Sequence, residues 1–418
     1  MIYDEIVIGA GISGLYWIYK SKPSNYLVLE KSDRIGGRIY NINWNNKQIS
    51  LGGGIIKYNN NHTIKLCEEL GLELGQGKSE YEMIDWDYLD SNNIKLDNEN
   101  KNIQEPNEKK FYKINKNIIK YLKKVYNQHK LIIKLNKYNF NEFLDLYIDL
   151  KLVNFIKSNI LYHTYYKSDI KSVLYDEIDE LLRTDSFEIK YIMDGGYSKL
   201  LEKIIQVVRL ENIKLNQDVI EIKKNNSIFE IKTSINETYR TKKIILATET
   251  KNNIKYVFEQ KLLNMIENLY LMTSGSNYIR IYSYHSNGHG LKCSYKTSGL
   301  VGKVIYIDDK ILMCVYTEEI DAYKINKLLE NKTKLVQLEI IYNLLSKCNI
   351  PITKPDDITI KYWNIGIHYN NPGYNKEIKN TLIKELKKEN IIIVGECLSD
   401  SHGWVNSALE SVETNLNF

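Results

Sequence analysis

A glycine-rich turn near the start of the chain has the residue spacing of a nucleotide-binding site. Residues 6–14 read Ile-Val-Ile-Gly-Ala-Gly-Ile-Ser-Gly, an apolar strand that runs into the pattern G-x-G-x-x-G. In such a turn Gly9 permits the tight bend, Gly11 lets the backbone approach a pyrophosphate at the N-terminus of a helix, and Gly14 lets that helix pack against its strand. Glu30 ends the next apolar stretch about 20 residues further on, where a carboxylate binds a ribose hydroxyl. The sequence therefore predicts a dinucleotide-binding βαβ unit.

The elements that must position this turn alternate between short strands and helices. After Glu30 come the pattern R-x-G-G-R at Arg34–Arg38 and a hairpin through residues 43–47. The three glycines Gly52–Gly54 indicate that the backbone approaches another group closely. A helix is predicted at residues 61–70, because apolar residues recur there at helical spacing and Gly71 follows.

Residues 110–182 have the apolar periodicity of a helical subdomain, and the polar stretch 91–110 before them is predicted to be a loop or insertion. Lysines alternate with aromatic residues over 109–137, a pattern that could suit nucleic acid. An amphipathic helix in a lysine-rich chain explains the pattern better, so we expect no nucleic-acid partner.

Size and composition limit the possibilities further. A chain of 418 residues favours two domains over one, and a net charge of +5 from 57 basic and 52 acidic residues indicates no polyanion partner. Five cysteines without a C-x-x-C pair favour reduced thiols, and His285 and His289 lack a third ligand for a metal site. No secretory signal or membrane-spanning stretch is recognised, so we expect an intracellular, cytoplasmic protein without membrane insertion.

Read together, the glycine motifs resemble the flavin-containing amine oxidase family, in particular the monoamine and polyamine oxidases. The resemblance extends over the whole chain and depends on the order of loose motifs. These are the turn at Gly9–Gly14, Glu30, Arg34–Arg38, Gly52–Gly54, Gly195-Gly196, Val394-Gly395-Glu396 and Gly403–Ser411.

The resemblance implies an FAD stretched across a Rossmann-like domain. The implied cofactor-binding residues are Gly9, Gly11, Ile12, Ser13, Gly14, Glu30, Lys31, Gly36, Gly37, Arg38, Gly53, Gly54, Ile55, Val219, Glu396, Trp404 and Val405. Among them, Glu30 would bind the adenosine ribose, Arg38 would lie beside the pyrophosphate, and the Val219 backbone would approach adenine. Glu396 would bind the ribityl chain, and the backbone of Trp404–Val405 would meet the flavin edge.

The implied reaction passes a hydride from the α-carbon of a neutral amine to the flavin, after which the imine hydrolyses and O2 reoxidises the flavin to give H2O2. Trp404 matches an aromatic wall of the amine cage, and a flavin-packing role fits it equally well. Tyr369 and His368, in a Trp-x-Ile-Gly segment similar to one in polyamine oxidases, are candidates for the opposite wall. His402 either borders the site or is a solvated loop residue.

Two departures from the family bear on activity and cofactor attachment. The family carries a lysine on a substrate-domain strand, linked through water to the flavin, but the corresponding stretch 277–282 has Arg280 as its only cation. A guanidinium stays charged and cannot act as a base at ordinary pH, which puts catalysis in question. Residues 364–394 contain no cysteine where monoamine oxidases attach their flavin, so we expect non-covalent FAD.

The predicted fold class is α/β and α+β, with a Rossmann-like FAD-binding domain assembled from discontinuous segments, a mixed-sheet substrate domain and a helical subdomain. We assign residues 1–75, 186–250 and 386–418 to the FAD-binding domain. Residues 76–185 and 251–385, including the helical region 110–182, form the substrate-binding domain.

The leading interpretation is an FAD-dependent oxidoreductase that acts on a polyamine or monoamine with O2. One alternative is a related FAD enzyme of the protoporphyrinogen oxidase or desaturase type, and another is an FAD-binding scaffold protein in which catalysis has lapsed. The sequence leaves open whether the chain binds a protein partner or forms a homo-oligomer.

Overall fold

The computed structural model describes residues 1–83, 107–159, 163–177, 186–193, 195–249, 254–297 and 300–417. The strands are β1 Ile2–Ile8, β2 Tyr26–Leu29, β3 Asn41–Trp44, β4 Lys47–Ser50, β5 Ile56–Lys57, β6 Leu74–Met83, β7 Ser186–Ile192, β8 Ile213–Lys214, β9 Val219–Asn225, β10 Ile228–Thr233, β11 Thr238–Leu246, β12 Lys255–Val257, β13 Thr273–Tyr284, β14 Ser294–Lys296, β15 Lys303–Tyr306, β16 Ile311–Glu318, β17 Asp357–Asn370 and β18 Ile391–Ile393.

The helices are α1 Ile12–Ser21, α2 Asn61–Glu69, α3 Asn107–Asn136, α4 Phe140–Tyr147, α5 Leu150–Asn159, α6 His163–Lys167, α7 Ile170–Ser172, α8 Gly196–Val208, α9 Gln260–Leu271, α10 Glu319–Leu329, α11 Lys334–Lys347, α12 Lys376–Lys388 and α13 Val405–Asn417. The predicted helix at 61–70 and the hairpin through 43–47 are confirmed. Of the stretch 91–110 predicted to be a loop, residues 91–106 lie outside the described residues. Residues 107–110 (Asn-Glu-Lys-Lys) begin α3; they carry no apolar residue, and glutamate and lysine favour a helix although the stretch is polar.

The chain divides into two compact units, the first formed by Met1–Gly77, Ile189–Gly275 and Ile365–Phe418. Its sheet has the order β12-β9-β10-β11-β1-β2-β8, with β18 also paired to β11. The pairs β1–β2, β1–β11 and β11–β18 are parallel, whereas β9, β10 and β11 form an antiparallel meander. This mixed sheet, with a helix following its first strand, confirms the predicted Rossmann-like domain.

Helices cover both faces of this sheet. Successive residues of a strand point to opposite sides, and since β1 is apolar throughout its second half, both of its faces have to be buried. Val7 packs in one apolar cluster with α1, α8 and α13, while its neighbours Ile6 and Ile8 pack in another with α9 and α12. The sequence assigned α9 and most of α12 to the substrate-binding domain, whereas in the structure their apolar faces belong to the core of this first unit. Their amphipathic pattern predicts burial but does not identify the sheet that each helix covers.

The second unit contains Lys78–Glu188 and Ser276–Asn364. Its strands run in the order β17-β13-β16-β15-β14-β6, with β13, β16 and β15 antiparallel. One apolar cluster joins this sheet to α10 and α11, and a separate cluster joins the described side chains of α3, α4, α5 and α7. The second cluster is the predicted helical subdomain, as far as the chain is described there.

A buried carboxyl group in the second unit connects β16 to the helical subdomain. Glu318 is 1% exposed, and its Oε1 accepts hydrogen bonds from the N–H and hydroxyl of Thr164 at 2.8 and 2.6 Å. Within the described part of the chain its Oε2 has no hydrogen-bond partner. Burial raises the pKa of Glu318 to about 7, although the Thr164 hydrogen bonds and the charge of Lys303 oppose the change.

We therefore expect the stability of the second unit to depend on Glu318 and on pH. A carboxyl group whose pKa is higher in the folded than in the unfolded state stabilises the fold fully only below its unfolded pKa, and that contribution is lost as pH rises toward about 7. The melting temperature of wild type should fall as the pH is raised from 5 to 8, and the melting temperature of E318Q should fall by less. The control E330Q changes an exposed carboxylate; equal slopes for E318Q and wild type would contradict the prediction.

No helix among the described residues is long and apolar enough to cross a membrane.

Candidate active site

The glycine-rich turn has the steric requirements that its pattern predicts. Gly9 has φ +106°, and a Cβ at that position would lie 2.6 Å from the carbonyl oxygen of Ala247. A Cβ at Gly14 would lie 2.2 Å from the carbonyl oxygen of Gly9, so only glycine lets α1 pack this closely. A Cβ at Gly11, by contrast, would meet no atom within 4 Å. The turn is tightly packed at both ends and leaves an open space at Gly11.

This open space lies at the N-terminus of α1. Gly11 is the N-cap residue and offers no side-chain oxygen to the first helical N–H groups, and Ile12 and Ser13 form the first turn. The N-terminus of a helix attracts anions through its N–H groups and its dipole. The space beside Gly11 is therefore a cradle for a phosphate group.

Glu30 is tied directly to the turn. The residue is 8% exposed, and its Oε2 accepts a hydrogen bond from the N–H of Ala10 at 2.8 Å. Its Oε1 accepts from the N–H and hydroxyl of Ser32 at 2.9 and 2.7 Å. The carbonyl oxygen of Glu30 accepts a hydrogen bond from the N–H of Gln217, two residues before Val219, at 2.8 Å. The next residue, Lys31, is exposed. The Glu30 carboxylate thus lies beside the cradle. Val219 lies close by in the chain, because Gln217, two residues before it, is hydrogen-bonded to Glu30 at the end of β2.

The R-x-G-G-R segment folds back onto the turn. The N–H of Gly36 donates to the carbonyl oxygen of Ala10 at 2.8 Å, and a Cβ at Gly37 would lie 3.3 Å from the Cα of Gly11. The guanidinium of Arg34 donates to carbonyl oxygens inside this loop, including that of Gly37 at 2.7 Å. Its internal hydrogen bonds therefore hold the loop against the cradle.

Arg38 takes part in a buried network around Glu396. Arg38 Nη1 and His368 Nδ1 lie 2.8 and 2.7 Å from Glu396 Oε2, while the N–H groups of His368 and Gly403 donate to Oε1 at 3.1 and 2.6 Å. Burial alone would raise the pKa of Glu396, but the charge of Arg38 and the interactions with His368 hold it well below its usual value. Because a carboxylate offers about four acceptor positions, these four donors occupy Glu396, and a ribityl hydroxyl would have to share an oxygen with one of them.

His402 supports the same network and is not a solvated loop residue. It is 8% exposed, with Nδ1 3.0 Å from the carbonyl oxygen of Glu396 and Nε2 3.0 Å from Asn370 Oδ1. Burial lowers the pKa of His402 to about 4, although the neighbouring Glu396 opposes the change. The side chain is therefore buried and held at both ring nitrogens, and the solvated alternative is wrong.

The segment Gly52–Gly54, called the glycine step below, contacts the start of the C-terminal helix α13. A Cβ at Gly53 would lie 3.3 Å from Val405 Cγ2, and the N–H of Gly53 donates to the carbonyl oxygen of Arg38 at 3.0 Å. The hydroxyl of Tyr197 donates to the carbonyl oxygen of Ile55 at 3.2 Å. Gly54 and Ile55 are half-buried. Residues from both ends of the sequence thus meet in one place, as the motif order predicted.

Lys57 is a residue of this region that the sequence did not single out. It is 7% exposed, and its Nζ lies 3.5 Å from the ring centroid of Trp404. Lysine is abundant in this chain, and Lys57 and Trp404 are far apart in the sequence, so no local pattern indicates this contact. Tyr369 is half-buried on β17 between the buried His368 and Asn370, and the alternation of a strand turns its side chain to the other face.

Arg280 lies in the second unit, enclosed by aromatic rings. Its Nε donates to the hydroxyl of Tyr278 at 2.6 Å, and its guanidinium carbon lies 5.1 Å from the ring centroid of Tyr316. Burial alone would lower the pKa of Arg280, but the surrounding tyrosines, Tyr278 first, raise it above its ordinary value. The group remains a cation and is unsuited to proton abstraction.

The two histidines considered for a metal site are occupied by protein contacts. His285 lies 2.9 Å from Thr353 Oγ1 and 3.0 Å from Ser283 Oγ, and His289 bonds the Asp308 carbonyl oxygen and the Leu291 N–H. Across the described ranges no group of three or more His, Cys, Asp or Glu side chains has the arrangement of a metal site.

Sequence comparison places these features in a known context. A family model for flavin containing amine oxidoreductases matches residues 20–411. Amine oxidase [flavin-containing] B of Bos taurus is 41% identical over 73 residues, which are 17% of this chain and 14% of that protein. Amine oxidase [flavin-containing] A of Equus caballus is 40% identical over 75 residues, again 17% and 14%. Each of these matches spans about one seventh of the relative's length.

Solved structures with the same fold cover the whole chain. Putrescine oxidase, wild type bound to putrescine, superimposes with a TM-score of 0.70 at 15% identity and covers 100% of this chain and 99% of its own. Cyclohexylamine oxidase from Brevibacterium oxydans IH-35A superimposes with a TM-score of 0.70 at 16% identity, covering 100% and 98%. At these identities the similarity establishes the fold alone.

Proposed function

Because the chain belongs to the flavin-containing amine oxidoreductase family, we propose that it oxidises an amine to an imine with FAD as cofactor and O2 as electron acceptor, giving H2O2. The observation that carries the proposal is the single assembly formed in the first unit by the Gly9–Gly14 turn, Glu30, the Arg34–Arg38 loop and the contact of Gly53 with Val405.

The residues of this assembly fit an extended dinucleotide. The open space at Gly11 and the N-terminus of α1 would hold phosphate, Glu30 would hold the ribose, and the backbone near Val219 would approach adenine. Gly36, Gly37 and Arg38 would border the pyrophosphate, whereas Gly53, Gly54, Ile55, Trp404 and Val405 would border the flavin. We propose that Glu396 acts mainly by positioning Arg38, since four donors from the protein already occupy its carboxylate.

When bound, the flavin supplies the hydride acceptor that the protein side chains lack. The chain's own residues then bind and orient the amine, and we propose Trp404 and Tyr369 as aromatic walls. His368 and Arg38 hold the Glu396 carboxylate in place through hydrogen bonds of 2.7 and 2.8 Å. Arg280 would contribute a fixed positive charge and not a base.

We expect the FAD to be bound non-covalently. None of the five cysteines forms a disulfide, and Cys397, the one next to Glu396, is 2% exposed. Burial raises the pKa of the Cys397 thiol to about 12, so the thiolate needed for attachment is not formed at neutral pH. Acid precipitation of the holoprotein should release the flavin into the supernatant. Flavin that stays in the protein pellet after washing would contradict the prediction.

The proposed reaction is tested by its products. Holoprotein should be incubated in air with monoamines, polyamines and amino acids, and the carbonyl product and H2O2 should form in equal amounts from at least one of them. Repeating the incubation anaerobically with an artificial electron acceptor separates an oxidase from a dehydrogenase. If the protein retains FAD but forms no carbonyl product with either acceptor, the proposal of amine oxidation is wrong. Such a result would favour the scaffold alternative, with which the fixed charge of Arg280 in place of a lysine is consistent.

A further inference from the structure

A buried ammonium group covers one face of Trp404. Lys57 Nζ lies 3.5 Å from the centroid of the indole ring, well inside the separation of about 6 Å at which a cation and an aromatic face attract each other. Lys57 is 7% exposed, so water screens the interaction little. Lys57 therefore covers the face of Trp404 on which another cationic group could otherwise lie.

Both members of the pair are held by ordered backbone. The N–H of Lys57 donates to Asn60 Oδ1 at 2.9 Å, and Lys57 is paired with Ile189 across β5 and β7. Trp404 directly precedes Val405, which contacts the glycine step before Lys57. The N–H of Thr63, just inside α2, donates to Asn406 Oδ1 at 3.2 Å, and this bond ties α2 to the start of α13. The contact of Lys57 with Trp404 is therefore fixed by the backbone of β5 and of the start of α13.

An aromatic face can hold one ammonium group at contact distance. A substrate with two cationic ends, such as a diamine, needs somewhere to place its second ammonium group, and the face of Trp404 covered by Lys57 is closed to it. A monoamine has no such second group, and its apolar part packs against an aromatic wall without competing for the cation position.

Resting on the proposed amine oxidation, we propose that Lys57 is a specificity-determining residue. Because its ammonium group covers the face of the Trp404 ring, Lys57 keeps the second ammonium group of a polyamine off that face. Monoamines that carry an apolar group are therefore preferred. The substrate class is thus narrowed from amines in general to those without a second positive charge near the reacting carbon.

The first test compares two amines of equal length, butylamine and 1,4-diaminobutane. Flavin reduction is measured anaerobically in holoprotein of wild type, K57A and K57R. Wild type and K57R should prefer butylamine by about tenfold or more, the affinity equivalent of one desolvated cation–π contact, and K57A should lose most of that preference. A wild type that prefers the diamine, or a K57A with an unchanged ratio, would overturn the proposal. If K57A does not fold, K57T replaces it: threonine suits strand β5 and is too short to cover the indole ring, so the same loss of preference is expected.

The second test does not depend on oxidation. Tetramethylammonium has no N–H and cannot be converted to an imine, so its binding to holoprotein is followed by calorimetry. K57A should bind it, whereas wild type and the double variant K57A/W404L should not. The control K20M removes a lysine whose Nζ lies 5.5 and 5.9 Å from the ring centroids of Tyr16 and Tyr19, and it should behave as wild type.

The two tests separate failure of the specificity proposal from failure of the proposed function. If no amine reduces the flavin of wild type but K57A gains Trp404-dependent binding of tetramethylammonium, amine oxidation is wrong and the assignment of Lys57 to the cation position stands. If amines reduce the flavin but K57A gains neither diamine turnover nor tetramethylammonium binding, the assignment of Lys57 is wrong.

Discussion

Arg38→Met is expected to lower the free energy of unfolding of the apoprotein by about 3–5 kcal/mol, because it leaves the Glu396 carboxylate buried without its guanidinium partner. Glu396 is 3% exposed, and its Oε2 lies 2.8 Å from Arg38 Nη1. His368 and two backbone N–H groups remain, so the lower end of the range is the better expectation. Urea denaturation of apoprotein measures the change without a contribution from bound FAD.

Two further variants test the cause of this loss. R240M removes an arginine from the exposed pair with Glu230 and should cost at most about 1 kcal/mol. The double variant R38M/E396Q should be destabilised by less than the sum of the single changes, because neither buried charge is then left unpaired. Equal losses for R38M and R240M would show that the buried network contributes nothing measurable.

Gly11→Ala should weaken FAD binding by about tenfold to 100-fold, the equivalent of about 1–3 kcal/mol of overpacking, while leaving the apoprotein folded. Gly11 has φ −72° and ψ 174°, a conformation that alanine adopts freely, and its Cβ would meet no protein atom within 4 Å. The methyl group would therefore collide only with a ligand in the cradle. Titration of apoprotein with FAD, followed by the quenching of flavin fluorescence, measures the affinity.

Gly14→Ala is the contrasting variant in the same turn. A Cβ there would lie 2.2 Å from a backbone oxygen, so the substitution should destabilise the protein itself with or without FAD. If G11A binds FAD as tightly as wild type, the space beside Gly11 is not the phosphate site.

Local patterns in the sequence predicted the parts of the site that depend on local geometry. The turn at Gly9–Gly14 and the acidic end of β2 at Glu30 follow from strand periodicity and from the steric needs of glycine, and the structure has both. The family resemblance implied that Gly53 and Val405 both border the flavin, and the structure brings these two residues into contact, although no local pattern requires it.

The parts that sequence reasoning could not supply depend on contacts between distant residues. Glu396 is recognisable in its Gly-Glu motif, but its four donors come from segments whose packing no periodicity specifies. The sequence allows His402 to be either a site residue or a loop residue, because its burial depends on Asn370 at the end of β17. No pattern distinguishes Lys57 from the other lysines of the chain, and only the fold brings it onto Trp404.

In the proposed reaction, an FAD held along the Gly11 cradle accepts a hydride from an amine. The most direct test is anaerobic mixing of purified holoprotein with a graded series of monoamines, followed through the absorption band of the oxidised flavin. At least one monoamine should bleach the band completely, and admitting O2 should restore it. A flavin that stays oxidised with every amine, yet is reduced by dithionite, would show that this protein does not oxidise amines.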